Sequence, residues 1–137
     1  MKTFPLDIFT PFGHYLETNA SFLEVQSEDY LLGILPGHAP LVSTLVISKM
    51  VIEINSIRFF YANGGGVINI AKDGHVTLLL DSVERSDEIN LERALNAKQR
   101  AEQRLIDDED STIDKKRAKL ALTRALNRIH LIGKDRN

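Results

Sequence analysis

The chain has 137 residues and a mass of 15.4 kDa, which suits one ordinary domain or a small domain with an appendage. With 43% hydrophobic and 26% charged residues and a net charge of −2, it can bury a core and has no overall lean toward nucleic acid. The absence of cysteine excludes a disulfide framework, an iron–sulfur site, a thiol nucleophile and a cysteine-ligated zinc site.

The stretch Met1–Phe12 carries a single lysine and no long apolar run, so it does not read as a signal peptide. Nowhere does an apolar run approach the ~18 residues of a membrane span. A soluble intracellular protein is the expectation. The average conceals a division. Residues 1–84 hold 4 Lys/Arg against 9 Asp/Glu, whereas residues 85–137 hold 13 against 10. All four prolines and every glycine except Gly133 fall in the first part. A change of architecture is expected near Glu84–Ser86.

Along residues 1–84 short apolar runs alternate with turn chemistry. Leu6–Phe9 ends at Thr10-Pro11-Phe12-Gly13, and Phe22–Val25 ends at Ser27-Glu28-Asp29. Tyr30–Leu35 is stopped by Pro36-Gly37; Leu45–Ser48, Val51–Ile54 and Ile57–Ala62 follow, the last two split by Asn55-Ser56. Val67–Ala71 and Val76–Leu80 flank Lys72-Asp73-Gly74-His75, a hairpin signal. Val, Ile, Phe, Tyr and Thr dominate these runs and suit a pleated, half-buried surface. About eight to ten short strands predict an antiparallel β-sandwich or flattened barrel.

No catalytic site is legible there. His14, His38 and His75 lie far apart in the chain, two of them beside Gly or Pro, and read as turn or surface residues rather than metal ligands. Gly64-Gly65-Gly66 precedes a strand and lacks a closing Lys-Ser/Thr pair, so it meets neither phosphate-loop pattern. A tight turn or bulge with close backbone approach is expected instead. The domain reads as a platform.

From Ser86 the period changes. Asp87 and Glu88 suit a helix N-terminus, and the helix is expected to reach about Leu105 before Asp107-Asp108-Glu109-Asp110 breaks it. Ser111-Thr112-Ile113-Asp114 reads as a capping box for a second helix, ending near Leu131 with Gly133 as a left-handed stop. The two helices repeat each other. Shifted by 24 residues, Ile89, Arg93, Ala94, Ala97, Arg100, Ala101 and Arg104 match Ile113, Arg117, Ala118, Ala121, Arg124, Ala125 and Arg128. Two alanine stripes joined by a short polar loop predict an antiparallel helical hairpin. An alanine contributes at most ~0.8 kcal/mol per buried carbon, so strong helix formers combine here with weak mutual packing. This fits a static hairpin that stiffens the sandwich and, equally, an element with two arrangements. Residues 113–130 carry six Lys/Arg and only Asp114. Such a row is either a solvated face or a surface for an anion, phosphate or carboxylate. No aromatic residue stands among these arginines to stack bases, which ranks nucleic acid last among partners.

Gly33-Ile34-Leu35-Pro36-Gly37-His38-Ala39-Pro40-Leu41-Val42, then Asn63-Gly64-Gly65-Gly66-Val67, Val76-Thr77-Leu78 and Glu84-Arg85 resemble the signature of the epsilon subunit of bacterial F-type ATP synthases. The resemblance covers nearly the whole chain, and the order of sandwich and hairpin fits it. It implies an α+β chain, residues 1–84 a β-sandwich and residues 85–137 a regulatory hairpin, without catalytic activity, metal or required cofactor. It implies a rotor subunit whose sandwich meets the gamma subunit and the c ring. The C-terminal helices would extend to the alpha and beta subunits of the catalytic head and impede ATP hydrolysis. A place on the cytoplasmic face of a bacterial cell membrane, peripheral to it, is expected on the same grounds. A free-standing nucleotide-sensing module is the alternative; co-purification with gamma and the head separates the two.

Several members of that family bind ATP as a regulatory ligand through an Ile/Leu-Asp-x-x-Arg-Ala motif and further arginines. The matching positions are Ile89, Asn90, Arg93 and Ala94, with Glu84, Arg100, Arg117, Arg124 and Arg128. Every arginine is present, but the motif aspartate is Asn90. Loss of a charged acceptor costs ~1.5–3 kcal/mol, roughly ten- to hundredfold in affinity, so weakened ATP binding is expected. A second departure is Leu31, where many relatives carry a carboxylate that can face the c ring.

Overall fold

The alternation of apolar and polar side chains becomes eight strands. The computed structural model describes residues 2–106 and 112–135, and these fall into two units divided after Arg85. In the first, β1 (Phe4–Thr10), β2 (Gly13–Ala20), β3 (Phe22–Gln26), β4 (Leu31–Ile34), β5 (Leu41–Ile54), β6 (Ile57–Ile70), β7 (Val76–Leu80) and β8 (Val83–Arg85) form one sheet. Its order is β2-β1-β7-β6-β5-β3-β4, with β8 also pairing β6. Every pairing is antiparallel except β1 with β7, which run parallel from Leu6↔Val76 to Phe9↔Leu79.

The sheet closes on itself into a sandwich. β2, at one edge, packs against β5 without hydrogen-bonding to it, and Tyr15 meets Tyr61 edge-on at 6.4 Å. Period-2 alternation turns Phe4, Leu6 and Ile8 of β1, Leu23 and Val25 of β3, and Val76, Leu78 and Leu80 of β7 into one core with Met50, Ile52, Ile68 and Ile70. These aliphatic side chains supply most of the stabilisation, at ~25 cal/mol per Å² removed from water.

Three expectations change. Leu45–Ser48 and Val51–Ile54 are parts of the 14-residue β5, and Ile57–Ala62 and the expected Val67–Ala71, up to Ile70, merge into the 14-residue β6. The glycine run is therefore neither turn nor bulge. Its pairing with β5 continues unshifted from Leu45↔Gly66 to Ile47↔Gly64. Close backbone approach does hold: Gly64 N–H donates to the Ser82 carbonyl at 2.9 Å, and Asp81 N–H to the Gly65 carbonyl at 2.8 Å. A Cβ on Gly66 would run into the Leu79 carbonyl oxygen. Finally, Gly13–Ala20 is a strand that its polar composition concealed.

The second unit opens with a 3-10 turn at Ser86–Glu88, followed by α1 (Leu91–Ile106) and α2 (Thr112–Asp135). Asp87 and Glu88 thus precede the α-helix rather than begin it. α2 continues through Gly133, which is no helix stop. Leu131 and Ile132 are buried in that final stretch, and their burial outweighs the ~1 kcal/mol cost of a helical glycine. Asp107–Asp110 and Ser111 of the expected capping box lie outside the described residues.

Candidate functional site on the helical hairpin

Both helices bury alanines against each other. Ala94, Ala101, Ala118 and Ala125 are buried, and Ala97 and Ala121 half-buried, where α1 and α2 pack. Five residues separate the helices and span at most ~18 Å, too short to return along the ~24 Å of α1, so the helices run antiparallel. One methyl group per contact lets the axes approach closely but removes little apolar area. The expected effect of Ala125→Leu, which forces three further carbons into a closed contact, is a loss of about 1–3 kcal/mol. Hydrogen–deuterium exchange should show faster exchange in α1 and α2 with the sandwich unchanged.

The arginines flank this stripe. Arg93, Arg100 and Arg104 lie roughly 100° round α1 from Ala94 and Ala101, and Arg117, Arg124 and Arg128 are displaced equally on α2. Antiparallel helices that meet through equivalent stripes are related by a two-fold axis normal to the plane of the pair. That operation leaves both arginine rows on the same side of the hairpin. Arg93, Arg100, Arg104 and Arg117 are exposed, whereas Arg124 and Arg128 are half-buried. The other side carries the exposed Leu91, Leu95 and Leu126. Six guanidiniums on one face offer forked donors for phosphate or carboxylate groups.

Asn90 is the residue whose role sequence reading missed. It stands immediately before α1 and caps it: Arg93 N–H donates to Asn90 Oδ1 at 3.0 Å, and Ala94 N–H to the Asn90 carbonyl at 3.0 Å. The signal was present, since asparagine is among the preferred N-caps. Its repeat partner, Asp114, is the third residue of α2, so the two helices begin at different points of the repeat. Ile89 and Ala94 are buried, while Asn90 is exposed. Helical geometry gathers Arg93, Arg100, Arg117, Arg124 and Arg128 on one face, with Asn90 at the start of it. Glu84 belongs to the other unit, on β8 opposite Ala62 of β6. Leu31 opens β4 and is 57% exposed, an apolar side chain at a strand edge.

A β-sandwich that leads into an arginine-sided helical hairpin defines an ATP synthase Delta/Epsilon-type chain. The family model "ATP synthase, Delta/Epsilon chain, beta-sandwich domain" matches residues 3–86, and that of the "long alpha-helix domain" matches residues 87–133. The ATP synthase epsilon chain of Bacillus cytotoxicus is 43% identical over 129 residues, covering 94% of this chain and 96% of the relative. That of Desulforamulus reducens is 42% identical over 128 residues, covering 93% and 96%. The chain belongs to the family of ATP synthase epsilon chains, non-catalytic stalk subunits of that complex. Its fold is also that of a chain in the Euglena gracilis mitochondrial ATP synthase OSCP/F1/c-ring structure. There the TM-score is 0.74 and the identity 17%, over 88% of this chain and 76% of the other. A chain in the Tetrahymena thermophila mitochondrial ATP synthase central stalk/c-ring structure aligns with TM-score 0.65 at 17% identity, covering 99% and 98%.

Proposed function

We propose that this chain is a rotor subunit that couples the catalytic head of an ATP synthase to its c ring and restrains ATP hydrolysis with its C-terminal helices. The observation that carries the regulatory part is the alanine-rich contact between two strongly helical segments, whose central buried residues are Ala94, Ala101, Ala118 and Ala125. Such helices persist when they part, and along the alanine stripe each contact gives up only a methyl group on parting. The opened helices would offer the alpha and beta subunits a cationic face and the apolar side chains Leu91, Leu95 and Leu126.

For the sandwich, a row of outward apolar residues supports a protein partner. Phe9, Leu79 and Val67 lie side by side across β1, β7 and β6, and all three are exposed. Gamma takes this row in the proposed arrangement, and the c ring takes the apolar edge at Tyr30 and Leu31, both more than half exposed. No helix among the described residues is long and apolar enough to cross a membrane; the place proposed for the chain is peripheral, on the cytoplasmic face of a bacterial membrane.

ATP is the proposed regulatory ligand, held on the closed hairpin by Arg93, Arg100, Arg117, Arg124 and Arg128, with Ile89, Asn90 and Ala94 beside them. A ligand that binds only the closed form stabilises it by ~2.7 kcal/mol at 100-fold excess over Kd, comparable with what a few buried methyl groups contribute. Asn90 weakens this site for a specific reason. Its single side-chain oxygen already caps α1, and its amide otherwise presents donors. Asn90→Asp keeps the cap and adds a second, charged acceptor, suited to an amino or hydroxyl group of the nucleoside. Calorimetry with ATP and the full chain is expected to show binding tightened about tenfold or more. An equal or weaker Kd in the variant would overturn the assignment of residue 90 to this site.

A further inference from the structure

We infer that Asp7, His14, His75 and Glu17 form a binding site for one divalent transition-metal ion, zinc first among them. The site is independent of the hairpin and lies on the outward face of β2-β1-β7. His14 Nε2 stands 2.8 Å from Asp7 Oδ1, and His75 Nε2 stands 2.6 Å from Asp7 Oδ2. Two imidazoles therefore converge on the two oxygens of one carboxylate. Donor atoms of Asp7, His14 and Glu17 all lie within 4.8 Å of one another.

The backbone holds this group in place. Asp7 is the direct neighbour of Glu17 on β2 and of Thr77 on β7, and His75, two residues before Thr77, shares its face. A β-bulge after Ile8 shifts the register so that His14, not Tyr15, stands opposite Phe9. That shift brings His14 onto the face of Asp7 and leaves Tyr15 to pack against the core. The His14 ring stacks on Phe9 at 4.5 Å and 15°, which sets its plane. His75 is set by its own N–H, donated to Asp73 Oδ1 at 3.0 Å, and by its carbonyl, which accepts from Ala71 N–H at 2.9 Å.

The chemistry suits zinc. Two imidazole nitrogens and two carboxylates make a four-ligand N₂O₂ set, and the two negative charges balance a dication. Ligand atoms around tetrahedral zinc stand about 3.3 Å apart, so Asp7 must open slightly from both imidazoles while His75, which stands outside the 4.8 Å group, swings in toward His14 and Glu17. On binding, the proton that each Nε2 donates to Asp7 passes to water or to Nδ1. The freed Nε2 lone pair then meets the ion in place of the carboxylate. A hard cation such as Mg²⁺ has no use for imidazole nitrogen and is not expected to compete.

The test is calorimetric titration of the full 137-residue chain with ZnCl₂ near neutral pH, with MgCl₂ as control. One zinc per chain and no magnesium binding are expected, with His14→Ala and His75→Gln each weakening zinc at least ~10-fold and the double variant abolishing it. Absence of stoichiometric zinc binding, undiminished binding in the double variant, or equal affinity for Mg²⁺ overturns the site. Should a variant melt well below the parent, imidazole ¹⁵N NMR of the parent decides. One equivalent of zinc must move the ring nitrogens of His14 and His75 and leave those of His38 and His130 in place; any other pattern overturns the site.

Discussion

Removing residues 86–137 is expected to leave a folded, assembly-competent sandwich and to release the restraint on ATP hydrolysis. Every member of the core cluster, from Phe4 to Val83, lies before the cut, so the truncation removes no member of that core. The apolar row Phe9, Leu79 and Val67 is likewise retained. Complexes carrying the full chain and the truncated chain, matched for incorporation, should differ in hydrolysis by about fivefold or more, the lower end of ordinary coupling free energies. Sedimentation with gamma should be unchanged. Equal hydrolysis in the two complexes would refute a regulatory hairpin, and loss of gamma binding would refute the assignment of that contact to the sandwich.

Gly66→Ala is expected to be the most damaging single substitution in the sandwich. Gly66 lies on β6 between Leu45 of β5 and Leu80 of β7, with φ of 155°. An added Cβ would meet the Leu79 carbonyl oxygen, which is backbone and cannot swing aside. Relief requires β6 and β7 to part, and both carry core residues on the inner face. A cost of roughly 3 kcal/mol or more follows, a large share of the ~4–13 kcal/mol available to a unit of this size. Thermal melts should fall by more than about 12 °C. Gly74→Ala is the control. Gly74 has φ of 91° in an exposed turn with nothing within 4 Å of an added Cβ, so only about 1 kcal/mol of backbone strain is expected. Equal losses in both variants would mean that conformational strain alone, and not the approach of β6 to β7, makes Gly66 necessary.

What was legible in the sequence was what is local. The alanine and arginine spacings of residues 89–105 and 113–129 report a helical period within a few residues, and they locate both helices and the buried stripe. Alternation located β1, β3, β4 and β7 for the same reason. β2 escaped because Gly13-His14-Tyr15-Leu16-Glu17-Thr18-Asn19-Ala20 is an edge strand, half of it exposed, with little apolar patterning to betray it. β6 was cut in two because glycine usually punctuates a strand, whereas here it lets a neighbouring strand pass close by. Gly133 misled in the same way, since burial of Leu131 and Ile132 was invisible before the helices were placed. The arginine positions were legible; that Asn90 spends its oxygen on the helix end was not, because capping depends on where the helix begins. His14 and His75 read as strangers because only the parallel pairing of β1 with β7 makes them neighbours.

That same parallel pairing sets the order in which the chain completes itself. Partners such as Leu6 and Val76 are about 70 residues apart, so closing the sandwich carries the entropy of a long loop. At a synthesis rate of ~5–20 residues per second, β1 emerges roughly 4–14 seconds before β7 exists to flank it. During that interval the first hairpin has one neighbour too few, and Leu6 and Ile8 stand open to chaperones or to the nascent chains of nearby ribosomes. The helices made last close through near neighbours almost at once. The newborn subunit therefore acquires its helical tail within moments of finishing the body that bears it.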